Sequence, residues 1–139
     1  MKLLTKNTDY AIRALMVLGK ERGGYISSRD ISDKEKIPYQ YVRKILQRLI
    51  QKGYIESKEG GKGGVRSKGS PDKIKVIDLI KLFQGEVQFS ECMFRDRVCH
   101  NRKTCVLRSN IQKIEKVVIK EFKGITIGSL LKEEMKGEG

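Results

Sequence analysis

Residues 27–68 read SSRDISDKEKIPYQYVRKILQRLIQKGYIESKEGGKGGVRSK, and three features of this stretch decide the architecture. Ser27-Ser28-Arg29-Asp30 resembles a capping box with Asp in place of the usual Glu, so a short helix is expected over residues 28–36. Ile37-Pro38 breaks the chain, and Pro38 suits the first turn of a second helix over residues 38–52, which Gly53 stops. On that second helix Val42, Ile45, Leu46, Leu49 and Ile50 fall on one side. Gln40, Arg43, Lys44, Gln47, Arg48 and Gln51 fall on the other, within about 140° of arc. A solvated surface helix would mix Glu among its cations; this face carries donors and cations only. Two helices joined by a short turn, the second strongly basic, match a helix-turn-helix.

The glycine-rich segment that follows extends the pattern. Residues 54–58 and 65–68 read as two short strands around a Gly-rich tip, a basic hairpin whose outer cations are Lys58, Lys62, Arg66 and Lys68. No Gly-Lys-Ser/Thr occurs and no helix follows, so this is not a nucleotide-binding loop. A basic hairpin after a basic helix makes a winged helix-turn-helix. Gln40, Arg43 and Lys44 are best placed for base edges, and Arg48, Lys58, Lys62 and Arg66 for phosphates. Tyr41 lies at the edge of that face, against sugar or phosphate. Ser27 and Ser28, at a helix start, are further phosphate candidates.

Upstream, residues 8–22 form a largely apolar helix, capped by Thr8, on which Asp9 and Arg13 make the one polar strip. Downstream of Ser70-Pro71 comes an amphipathic helix over residues 76–84, then a long helix over residues 105–123. Leu107, Ile111, Ile114, Val118 and Phe122 line one side of the latter, and Val106 and Val117 widen the stripe. A subunit interface is the expected use of such a stripe; packing on its own domain is the alternative. A short C-terminal helix that frays should end the chain. The fold class is mainly α with a small β-hairpin wing, an α+β arrangement. Residues 1–75 form the DNA-binding domain, 76–104 a linking helix and cysteine loop, and 105–139 the dimerisation helix and tail.

The charge agrees. The 139 residues carry a formal net charge of +13. Residues 1–70 hold 16 Lys/Arg against 7 Asp/Glu, so the polyanion partner belongs to the first half. Duplex DNA is favoured over RNA, because aromatic residues make up only 6% and single-strand readers need stacking platforms. No signal peptide and no apolar run long enough for a membrane span is visible, which points to the cytoplasm. All three cysteines, Cys92, Cys99 and Cys105, and the single histidine, His100, lie in CMFRDRVCHNRKTC. Their Cys-x6-Cys-x5-Cys spacing lacks the tight Cys-x2-Cys corner common in structural zinc sites. Soft thiolates suit an iron–sulfur cluster, with zinc or a thiol switch as alternatives. No acid/base pair or nucleophile elbow is present, so an enzyme is not expected.

Taken in order, TDYAIRAL, LIQKGYIES, GGKGGV, SPDKIKVIDLIKLFQG, the three cysteines and ITIGSLL resemble the bacterial Rrf-two family of transcription factors across essentially the whole chain. The resemblance implies a homodimer, held by the long helix, that reads a palindromic operator as a repressor. Cys92, Cys99 and Cys105 match the triplet with which one part of the family binds an iron–sulfur cluster, [2Fe-2S] or [4Fe-4S]. In one branch a histidine three residues after the last cysteine completes the ligand set; here that position is Arg108. In another branch an acid near the start of the first helix serves, and Asp9 matches it, with His100 the runner-up.

Overall fold

The computed structural model describes residues 3–21, 23–89 and 106–138. In chain order the elements are α1 (Lys6–Lys20), α2 (Ser28–Glu35), α3 (Tyr39–Gln51), β1 (Ile55–Lys58) and β2 (Gly64–Ser67). A 3-10 turn (Pro71–Lys73), α4 (Val76–Gln84), α5 (Val106–Lys123) and α6 (Ile127–Glu138) follow. This is the expected winged helix-turn-helix with a long helix appended.

Helix α1 begins two residues before the sequence suggests, and Thr5 rather than Thr8 caps it. The Thr8 N–H donates to Thr5 Oγ1 at 3.4 Å, and Thr8 itself is fully buried, its hydroxyl 3.1 Å from that of Thr5. Either threonine could cap by chemistry; burial decides between them. The same end is clamped from α4. Gln84 Oε1 accepts from the Thr5 N–H at 2.9 Å, and Gln84 Nε2 donates to the Leu3 carbonyl at 3.1 Å. As expected, α1 is mostly buried, through Ala11, Ile12, Ala14, Leu15, Val17 and Leu18.

Ser27 caps α2 by accepting from the Asp30 N–H at 3.1 Å, and Lys36, at φ 54°, closes it. Pro38 is the N-cap of α3, one position earlier than anticipated. Helix α3 buries Val42, Ile45, Leu46 and Leu49, whereas Ile50, expected among them, is 36% exposed. Ile50 projects about 90° from the centre of the arc those four define, which puts it on the flank. One apolar cluster joins α1, α3 and α4 with Ile26, Ile31, Ile37, Ile55, Val65, Ile74 and Ile127, so all three expected segments draw on the same core. Truncating the fully buried Leu49 to Ala should cost about 2–5 kcal/mol.

Strands β1 and β2 pair antiparallel, with Ile55 opposite Ser67, Glu56 opposite Arg66 and Lys58 opposite Gly64. Ile26 adds a third, one-residue rung: its N–H donates to the Val65 carbonyl at 2.9 Å and its carbonyl accepts from the Val65 N–H at 2.8 Å. Gly64 makes this possible. Its φ is +147°, and a Cβ there would lie 2.3 Å from the Ile26 carbonyl oxygen. The wing is thereby tied to the start of the helix-turn-helix.

The C-terminal segment does not fray as expected; α6 is a docked twelve-residue helix. Thr126 and Ser129 cap it reciprocally, each backbone N–H bonding the other's hydroxyl at 2.9 Å. Ile127 is fully buried, and its N–H donates to the Ile74 carbonyl at 2.9 Å. Leu131 fits where Gly19 leaves room on α1, and Lys20 pairs with Glu134 at 2.7 Å.

Helix α5 has no buried residue. Ile111, Val118, Ile119 and Phe122 are half-buried on the side toward its own domain, and Phe122 packs against the core. Val106, Leu107, Ile114 and Val117 are more than half exposed on an adjoining face. The stripe expected from sequence thus straddles two faces of the helix.

Candidate nucleic-acid interface

Helix α3 carries no acid, and Gln40, Tyr41, Arg43, Lys44 and Arg48 all lie on its exposed side. Among the described residues, Arg43 and Lys44 make no ion pair. Arg43 lies 5.9 Å from the centre of the Tyr39 ring, and Arg29, from α2, lies 4.5 Å from the same ring. Ser28 Oγ donates to the Tyr39 hydroxyl at 3.3 Å, so one of the two candidate serines orients this ring while the other caps α2. Arg48 is turned toward α4, donating from Nη2 to the Leu82 carbonyl at 3.1 Å. Tyr41 packs against Tyr10 at 5.9 Å between ring centres and helps to line a groove of about 320 Å³ with Lys44, Arg48 and Phe83.

On the wing, Lys62 is exposed at the tip and Lys58 Nζ lies 5.7 Å from the Tyr25 ring. Arg66 also stacks on Tyr25, at 4.6 Å, but is paired with Glu56 directly across the hairpin. The hydrogen bond that Arg66 donates to the Glu56 carboxylate raises the Arg66 pKa above its ordinary value. Arg66 therefore presents a guanidinium whose charge is engaged by Glu56, unlike Lys62. Tyr25, Arg29 and Tyr39 escaped the reading from sequence. Their one signal there is an aromatic residue beside each basic cluster, and their partners become visible only once strand register and interhelical packing are set.

Cys92, Cys99, His100 and Cys105 lie outside the described residues. Asp9 is described: Arg13 Nε donates to its Oδ2 at 2.9 Å, and its side chain is 42% exposed. It lies one turn from Thr5, whose carbonyl accepts from the Asp9 N–H at 3.0 Å. The N-terminal flank of the cysteine segment meets this end of α1. Gln84 clamps it, as above, and the Phe89 N–H donates to Glu115 of α5 at 2.7 Å. Leu3, Thr5, Gln84, Phe89 and Phe122 share the walls of a cavity of about 210 Å³ there.

The helix-turn-helix, its wing and the acid-free reading helix define a winged-helix DNA-binding regulator. The chain belongs to the Rrf2 family, described as "Iron-dependent Transcriptional regulator", whose model it matches over residues 4–133. It is 30% identical over 105 residues to the HTH-type transcriptional regulator NsrR of Bacillus subtilis, an alignment covering 75% of this chain and 68% of that one. In fold it resembles T. potens IscR, with a TM-score of 0.79 at 22% identity, covering 100% of this chain and 92% of the other. It likewise resembles CymR, the global cysteine regulator of B. subtilis, with a TM-score of 0.80 at 21% identity over 96% and 98% of the two chains. The family is one of transcriptional regulators, not enzymes. No helix among the described residues is long and apolar enough to cross a membrane.

Proposed function

We propose that the chain is a homodimeric repressor that reads a palindromic operator and whose affinity is set by an iron–sulfur cluster. The observation that carries the DNA reading is the set Gln40, Arg43 and Lys44 on α3, which makes no ion pair among the described residues, with Lys58 and Lys62 on a wing tied to the same unit through Ile26. Base edges fall to Gln40, Arg43 and Lys44, and phosphates to the wing lysines, with Ser27, Ser28, Tyr41 and Arg48 at the margins. The exposed apolar face of α5, with Leu107 and Ile114 beside Val106 and Val117, supports association of two copies. Ile111 and Val118 lie at the margin of that seam, and Phe122 serves mainly its own domain.

The donor set fits a cluster. Cys92, Cys99 and Cys105 supply three soft thiolates. Asp9 presents an exposed carboxylate near the end of α1 that Gln84, on the N-terminal side of the cysteine segment, clamps, and His100 is the alternative fourth ligand. Bound there, an iron–sulfur cluster supplies a redox-active, chemically labile group. The pairing of Asp9 with Arg13 favours a second reading, a cluster-free regulator working by thiol oxidation or zinc, because it accounts for that carboxylate without a metal.

Two measurements test these readings. Anaerobic purification should give a coloured protein containing iron and sulfide, and Asp9→Ala should alter the visible spectrum; a colourless, iron-free protein after reconstitution favours the second reading. Duplex binding should be dimeric, with log K falling against log salt at a slope of about −7 to −11 if roughly 8–12 phosphates are neutralised. A slope shallower than about −3 sinks the paired helix-and-wing arrangement.

A further inference from the structure

We infer that Arg29, Tyr39 and Arg43 form one recognition unit: Tyr39 is a positioning residue that holds Arg43 toward a base edge and Arg29 toward the flanking phosphate. This rests on the DNA reading proposed above and goes beyond it, since it assigns Arg29 and Tyr39 roles and couples them to Arg43. The three residues come from both helices of the helix-turn-helix, with Arg29 on α2 and Tyr39 and Arg43 on α3. Arg29 and Arg43 lie 4.5 and 5.9 Å from the one ring. Those distances keep the two guanidinium carbons within about 10 Å of each other, less than the ~12 Å width of the major groove. One can therefore reach a base while the other meets the backbone beside it.

The electrostatics point the same way. Among the described residues neither arginine has a carboxylate partner, so two like charges are held close together in the free protein. A polyanion relieves that repulsion, and an internal salt bridge would have removed it already. The ring is held as well: it is half-buried, and Ser28, the first residue of α2, donates to its hydroxyl at 3.3 Å. An exposed arginine samples many rotamers, and losing them opposes binding. Stacking on a fixed ring removes part of that freedom before DNA arrives. Arg29 sits well inside the ~6 Å range of a cation–π contact and Arg43 at its outer edge, which leaves Arg43 the freer of the two to follow a base.

The test uses the full chain, an operator duplex selected from a random library, its single-base variants, and a random-sequence duplex. Arg43→Ala identifies the base pair that Arg43 reads. Tyr39→Leu should weaken discrimination at that same base pair by about two- to five-fold, the range expected for an exposed cation–π contact. Tyr39→Phe, which keeps the ring, should restore it to within about twofold. Tyr39→Leu should add nothing in an Arg43→Ala background. Arg29→Ala should weaken operator and random duplex alike and flatten the salt slope by about 0.9 per subunit. Thermal melting of each variant separates loss of fold from loss of reading. If the wild type discriminates bases but Tyr39→Leu leaves discrimination at the Arg43 base pair unchanged, or lowers it equally without Arg43, the unit is wrong and the DNA reading stands. If the wild type shows no preference for any duplex over another, both fall together.

Discussion

Tyr39 and Tyr25 each lie beside two cationic side chains, yet the two groups differ in what else they touch. At Tyr39 the partners are Arg29 and Arg43, and neither meets a carboxylate among the described residues. At Tyr25 they are Lys58 and Arg66, and Arg66 is paired with Glu56 because the hairpin register sets the two side by side. The helix and the wing are both rich in Lys and Arg, but the wing also carries Glu56 and Glu59. In structure the helix presents unpaired cations with donors suited to bases, whereas one of the wing's cations is engaged within its own sheet. A count of Lys and Arg along the wing therefore overstates the phosphates it can neutralise.

The largest expected effect falls on the helix side. Arg43→Ala should lower operator affinity by about 1–3 kcal/mol and relax preference at one base pair, read by binding to single-base operator variants. Equal loss on operator and random duplex would show that the reading face is misplaced. Next, Glu56→Gln should release Arg66 and bring the wing closer to the helix in character. The salt slope should steepen by about 0.9 per subunit, with tighter binding to all duplexes. An unchanged slope means that Arg66 points away from the backbone even when free. A smaller contrast separates two neighbours in sequence. Lys62→Ala should weaken binding to every duplex alike, while Arg66→Ala made together with Glu56→Gln, so that no carboxylate is left unpaired, should change it less than about twofold.

The smallest effect concerns the joint between helix and wing. The Tyr54 hydroxyl has its pKa raised, first by burial and second by the nearby charge of Asp78. A raised folded-state pKa means that the folded protein holds this proton longer than the unfolded chain does. The contribution is full below about pH 10 and is lost as pH rises through the folded pKa. Alkaline unfolding should accordingly show a decline beginning near pH 10 that Tyr54→Phe removes, visible by denaturant titration at pH 9 and pH 11.

Much of this molecule could be read from the sequence wherever a local signal was unique. Residues 76–84 carry a clean amphipathic pattern ended by Gly85, and α4 occupies them. The glycines around Lys62 mark the wing, and the structure adds the reason that Gly64 must be one: the Ile26 carbonyl occupies the space of its Cβ. Local signals fail where two residues offer the same chemistry, as with Thr5 and Thr8, and where distant chain decides the outcome. Helix α6 has only a modest apolar face, and its stability comes from Ile74, Gly19 and Lys20, far away in sequence. Tyr25 and Tyr39 acquire their meaning in the same way, from register and interhelical distance. Asp9 was legible as a carboxylate at a helix start, and its Arg13 partner follows from i,i+4 spacing. The broad stripe on α5 was legible too, but its division between an inward and an outward face depends on how the helix is rolled against α4.

The docking of α6 on α1 has a consequence for how the protein is made. Ile127 fills the same core as Leu15 and Leu18, and Glu134 meets Lys20 across 114 residues of chain. During synthesis the whole helix-turn-helix and wing therefore leave the ribosome before the helix that covers α1 exists. At about 5–20 residues per second, α1 waits on the order of 5–20 s with that side uncovered. Nascent chains stalled before residue 127 should be cleaved readily by protease, and chains extended past residue 138 clear of the exit tunnel should resist. The reading head is encoded before the helix that completes it, so a growing chain acquires a finished DNA-binding surface only after residue 138 has been added.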